Sequence, residues 1–62
     1  MDYYKLLTDY LKELHSNNDI DVMSFEDKGT YLLVSYYTEP MFKRENEVIG
    51  LFDLLTFVYS KI

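Results

Sequence analysis

The chain has 62 residues, no cysteine, and eleven acidic against six basic side chains, for a formal net charge of −5. Residues 1–62 make a single small domain, and a chain of this order buries only about 60% of its unfolded surface. Disulfides and thiolate metal sites are excluded, which leaves association as the common reinforcement for so small a scaffold, and the acidic balance disfavours phosphate binding, which depends on Lys and Arg.

The first element reads as a helix from about Asp2 to His15. Leu7, Tyr10, Leu11 and Leu14 recur at spacings of three and four, and Asp2 is a candidate N-cap. Lys12 and His15 suit the negative end of the helix dipole, and Ser16-Asn17-Asn18 ends the helix as a turn. A strand is expected from Asp19 to Phe25, with Ile20 and Val22 on one face and Asp19 and Asp21 on the other. Glu26–Gly29 reads as a hairpin connection in which Gly29 supplies a positive φ. Thr30–Thr38 is β-branched and aromatic throughout, which predicts a second strand, central or covered on both sides.

Pro40 breaks that strand. The next residues are expected as a loop or a short third edge strand, Met41–Glu45, rather than the first turns of a helix. A final helix is predicted from about Asn46 to Ser60, with Asn46 as N-cap and Glu47 at the positive end of the dipole. Its apolar residues encircle most of the axis. A stripe of Val48, Leu51, Phe52, Leu55, Val58, Tyr59 and Ile62 is expected to close the core, which leaves Ile49, Leu54 and Phe57 as a spare patch for a homodimer interface. The fold class is therefore a two-layer α+β domain: an N-terminal helix, an antiparallel hairpin, and a C-terminal helix packed on the sheet.

Apolar residues make up 48% of the chain, ample for a core and too many for disorder. Ala, Gln and Trp are absent, and Tyr, Phe, Lys, Ile and Asn abound, as in products of AT-rich genomes. A tiny acidic protein of this kind has the character of phage or mobile-element products. The N-terminal stretch is interrupted by charge and lacks an apolar signal core, and the C-terminal stretch carries Asp53 and is too short to span a bilayer. A cytoplasmic location is the expectation, with no membrane partner.

No motif carries catalysis. His15 has no nucleophile at a recognisable spacing, the serines lack an activating setting, and Gly29 and Gly50 stand alone. A calcium loop counted from Asn17 needs Gly at its sixth and Glu at its twelfth position, where Val22 and Lys28 stand. No cofactor or metal is expected. Two groups remain as candidates for binding a protein partner. The acidic residues Asp19, Asp21, Glu26, Asp27, Glu39, Glu45 and Glu47 cluster in the middle of the chain and would attract a basic surface, even one that normally holds nucleic acid. Tyr31, Tyr36 and Tyr37 supply rigid area with a polar tip, but no basic groove that would let them read nucleic acid directly. These features favour a non-enzymatic inhibitor of a host or defence protein. The alternative is a small regulatory or structural subunit, antitoxin-like or an assembly factor, acting through its apolar C-terminal helix.

Overall fold

A computed structural model describes residues 2–39 and 42–62. The order is α1 (Tyr3–His15), β1 (Ile20–Asp27), β2 (Tyr31–Thr38), β3 (Lys43–Gly50) and α2 (Leu51–Ser60). The strands form an antiparallel sheet in the order β1-β2-β3, with both helices packed on one face, so the α+β class holds. The expected strand start at Met41 and the break at Pro40 lie outside the described residues.

Local chemistry sets the early elements. Asp2 is extended and its Oδ1 accepts from the Lys5 backbone N–H at 3.2 Å, satisfying one free donor of the first turn. At the other end Ser16 turns left-handed (φ 51°), and its backbone and that of Asn17 donate back to the carbonyls of Glu13 and Lys12. Asn17 Oδ1 then accepts from the Asp19 N–H at 2.8 Å and leads the chain into β1. The hairpin closes through Lys28 N–H to Tyr31 O, with Gly29 at φ 97° donating to Asp27 Oδ1.

One extra residue in β1 changes which side chains reach the core. Val22 pairs with Tyr36 and Ser24 with Ser35, so Met23 is a bulge. Without it Ser24 and Glu26 would follow Ile20 and Val22 inward. With it Phe25 turns in, packs against the core, and is flanked by the rings of Tyr3 and Tyr4 at 6.3 and 5.3 Å. The core is Leu7 and Leu11 of α1, Ile20 and Val22 of β1, Leu32, Val34 and Tyr36 of β2, Ile49 of β3 and Leu54 of α2.

The C-terminal third differs from expectation. Asn46, Glu47, Val48 and Ile49 belong to a full-length third strand rather than a helix, in register with β2 from Tyr31↔Gly50 to Thr38↔Lys43. The helix begins only at Leu51, after an extended Gly50 that serves as its N-cap without a side-chain bond. Gly50 in a helix interior costs about 1 kcal/mol against Ala, which favours this break.

The later start also reverses the faces of the helix. Ile49 is 2% exposed and Leu54 9%, both in the protomer's own core, and Phe57 is half-buried with its ring 5.3 Å from Tyr10. They do not form a free interface patch. Phe52 (86% exposed), Leu55 (52%) and Tyr59 (74%) face outward instead, as does Val48 on β3. The physical reason is the direction of approach: β3 delivers α2 to the sheet with Leu51, Leu54 and Val58 turned inward, and the apolar arc is wide enough to accept either phase.

Adjacent leucines should therefore respond oppositely. Leu54→Ala is expected to cost about 2–5 kcal/mol by denaturant unfolding and Leu55→Ala less than about 1 kcal/mol. Equal effects would contradict this orientation of α2.

Candidate partner-binding site

Alternation along β2 divides the sheet. Leu32, Val34 and Tyr36 face the helices, so Tyr31, Leu33, Ser35 and Tyr37 face the other way. Register adds Asp21, Ser24 and Glu26 from β1, and Arg44, Asn46 and Val48 from β3, to that second face. Neither helix covers it. Ser35 Oγ donates to Asn46 Oδ1 at 2.6 Å across its middle.

At one end of this face the chain builds a shallow pocket of about 400 Å³, lined by Asn18, Asp19, Ile20, Asp21, Tyr37, Glu39 and Phe42. The start of β1 and the end of β2 supply its walls, tied by the Glu39 N–H to the Asp19 carbonyl at 3.0 Å. Phe42 is 69% exposed and sits at φ 50°, a left-handed conformation unfavourable for an aromatic residue. Three carboxylates and two aromatic rings thus share one small concavity. That is a chemistry suited to a Lys or Arg side chain, paired by charge and held against ring faces.

The sequence candidates separate accordingly. Asp19, Asp21, Glu39 and Tyr37 come together here. Glu26 and Asp27 lie at the other end of β1, roughly 20 Å away at about 3.3 Å per residue. Each has a local role there: Glu26 pairs with Lys28 at 2.8 Å, and Asp27 accepts from the Gly29 N–H. Glu45 and Glu47 point to the helix side, where Glu45 meets Lys43 at 3.2 Å. Tyr36 is 5% exposed, a core residue rather than a partner contact, and Tyr31 stands at the hairpin end of the open face. The acidic residues all fall in the middle of the chain but occupy different ends and faces of the sheet. Phe42 was not among the sequence candidates; its only signal is an aromatic residue two positions after Pro40 in the sequence.

Glu47 organises the helix side. Its Oε1 lies 2.8 Å from His15 Nε2 and accepts from Tyr36 Oη at 3.2 Å, so the end of α1 is tied to β3. His15 therefore answers to a carboxylate as well as to the helix dipole. Burial and then the Glu47 carboxylate push Tyr36 up from about 10 to about 12, and burial, Asp53 and Glu47 raise Tyr10. Among the described residues, no group of three or more His, Asp or Glu side chains is placed to hold a metal ion, and no helix is long and apolar enough to cross a membrane.

Comparison with protein-family models, with curated proteins and with solved structures finds no match for this chain. The functional reading rests on its geometry.

The raised Tyr36 has a stability consequence. Folding favours its neutral form, so its contribution is complete below pH about 10 and is lost as the pH rises through about 12. Thermal unfolding across that window should show a steep loss in the wild type. Tyr36→Phe should show a shallower one, its remainder coming from Tyr10.

Proposed function

We propose that the chain is a non-enzymatic protein-binding protein whose acidic, aromatic pocket receives a basic side chain from the surface of a larger protein. The observation that carries this reading is the convergence of Asp19, Asp21 and Glu39 with Tyr37 and Phe42 in one concavity beside an uncovered sheet face. The carboxylates steer a positive surface toward the pocket, and the net charge of −5 strengthens that attraction. Leu33 and Val48, paired in register, continue the contact surface along the sheet. Tyrosine is enriched among the few side chains that dominate binding energy at protein interfaces, which suits Tyr37 as an anchor.

An inhibitor of phage or mobile-element type, acting in the cytoplasm on a host or defence protein, fits this chemistry. Covering a basic surface that otherwise holds nucleic acid needs no catalysis, only an acidic body of matching shape. A second reading, a small regulatory or structural subunit of a larger assembly, is favoured by one observation: the exposed apolar side of α2, with Phe52, Leu55 and Tyr59 uncovered.

The test is titration with a short peptide rich in Lys and Arg, followed by amide chemical shifts. Shifts should centre on Asp19, Asp21, Tyr37, Glu39 and Phe42, and weaken as salt is added. With a captured partner, Asp19→Asn, Asp21→Asn and Glu39→Gln together should slow association several-fold, while Glu26→Gln with Asp27→Asn leaves it unchanged. Association equally fast at low and high salt would refute the electrostatic reading.

A further inference from the structure

The two edges of the sheet differ. On one side the Glu39 N–H donates to the Asp19 carbonyl at 3.0 Å, so Ile20 and Val22 of β1 aim their backbone groups away from β2. That edge is closed: Thr8 of α1 accepts the Val22 N–H on its Oγ1 at 3.3 Å, and the Met23 bulge interrupts the row at the next residue. On the other side the Leu51 N–H donates to the Thr30 carbonyl at 3.2 Å, which fixes the phase of β3. Lys43, Glu45, Glu47 and Ile49 bond to β2, and Arg44, Asn46 and Val48 aim their N–H and C=O groups outward. The register runs the length of the strand without a bulge. Among the described residues, no loop, helix or side chain bonds to the main chain of Arg44, Asn46 or Val48, and all three are exposed.

We propose that the free edge of β3 takes an extended, net-basic segment of another protein as a fourth, antiparallel strand. Outward donors and acceptors at a two-residue repeat are matched in full by an extended backbone, whereas a helix has already spent its own. Antiparallel pairing continues the order of the sheet and is the more stable ladder per residue.

Side chains along the edge set the chemistry of that segment. Glu45 and Glu47 border it on the helix side, and Val48, Asn46 and Arg44 border it in turn on the open face. Opposite charges across a ladder stabilise it, and like charges directly opposite weaken it. Read in its own direction, the matching segment is apolar, basic, polar, basic, acidic.

A second copy of this chain fits poorly. The twofold register that pairs all three outward residues is centred on Asn46 and sets Glu45 against Glu47 twice. Moving the axis to Glu45 or to Glu47 sets that residue against itself. Two chains of net charge −5 add to this repulsion. The edge lies on the far side of β2 from Asp19 and Asp21, so the inference goes beyond the acidic pocket and stands without it.

The test is amide hydrogen exchange of the whole chain with a blocked peptide, Thr-Val-Lys-Thr-Lys-Glu-Thr, at up to millimolar concentration. In the free chain the amides of Arg44, Asn46 and Val48 should exchange fast and those of Glu45, Glu47 and Ile49 slowly. With peptide the first three should slow at least about tenfold. Methylating the backbone nitrogen of the central Thr, which would face β3, should abolish this protection. Methylating that of the Lys before it, which would face solvent, should not. Asn46→Pro removes an outward donor but no bond to β2, and should weaken binding at least about tenfold. Asn46→Ala loses the same Ser35 hydrogen bond yet keeps the N–H, and should bind like the wild type. The proposal is overturned if the three amides stay fast at every peptide concentration, or if Asn46→Pro binds as well as Asn46→Ala. Amides already slow in the free chain at millimolar concentration would give the edge to a second copy and overturn it as well. Shifts confined to Asp19, Asp21, Tyr37, Glu39 and Phe42 would overturn it while leaving the pocket reading in place.

Discussion

Leu32, Val34 and Tyr36, the inward side chains of the central strand, make the contacts to which the other elements are fitted. Val34 is fully buried between its two neighbouring strands, in register with Phe25 and Glu47. Leu7 and Leu11 bring α1 onto this face, Ile20 and Val22 extend it through β1, and Ile49 with Leu54 closes it from the C-terminal side. Each such side chain contributes about 1.5–3 kcal/mol when removed from water, and the ordering of the chain consumes most of the total. So little surplus remains that the domain has one well-covered face and no more.

That one-sidedness shapes both outer surfaces. The uncovered sheet face keeps Tyr31, Leu33 and Tyr37 half in water, with carboxylates at its ends, which gives it a polar, charge-directed character. On the helix side, α2 buries Leu54 and half-buries Leu51, Phe57 and Val58, which leaves Phe52, Leu55 and Tyr59 in water. An element held by so little burial belongs to the low-stability end of local opening, and covering its exposed side would add stability where the fold has least. The two surfaces lie on opposite sides of the sheet, and Glu47, hydrogen-bonded to His15 and Tyr36 between the layers, belongs to neither.

The third strand, expected as no more than a short edge piece, shows where sequence pattern loses its grip. Lys43-Arg44-Glu45-Asn46-Glu47 has none of the β-branched or aromatic residues that mark Tyr31–Thr38. It is a strand because the bare edge of β2 offers a full row of hydrogen-bond partners to whatever follows the turn, and its charges suit an exposed edge. Gly50 was the available warning, since a glycine four residues after the presumed N-cap Asn46 weakens a helix that would run through it. The Met23 bulge had no comparable signal: it exists because Phe25 has greater value inside than Ser24 or Glu26.

By itself the sequence determined the elements whose cause is local: α1 from its three-and-four spacing and the Asp2 cap, the hairpin from Gly29, β2 from its composition, and with them the α+β class. It also determined that acid and aromatic residues would be abundant and that the C-terminal stretch would exceed what one small core can cover. Tertiary structure alone decided which residues meet. Asp19, Asp21, Glu39, Tyr37 and Phe42 converge because antiparallel pairing returns the end of β2 to the start of β1, while Glu26 and Asp27, equally acidic and nearer in sequence, are carried to the far end. In the same way the arc of α2 is apolar over more than half its circumference, so its own pattern admits two orientations. The point at which β3 hands the chain to the helix picks one of them, burying Leu54 and leaving Leu55 in water.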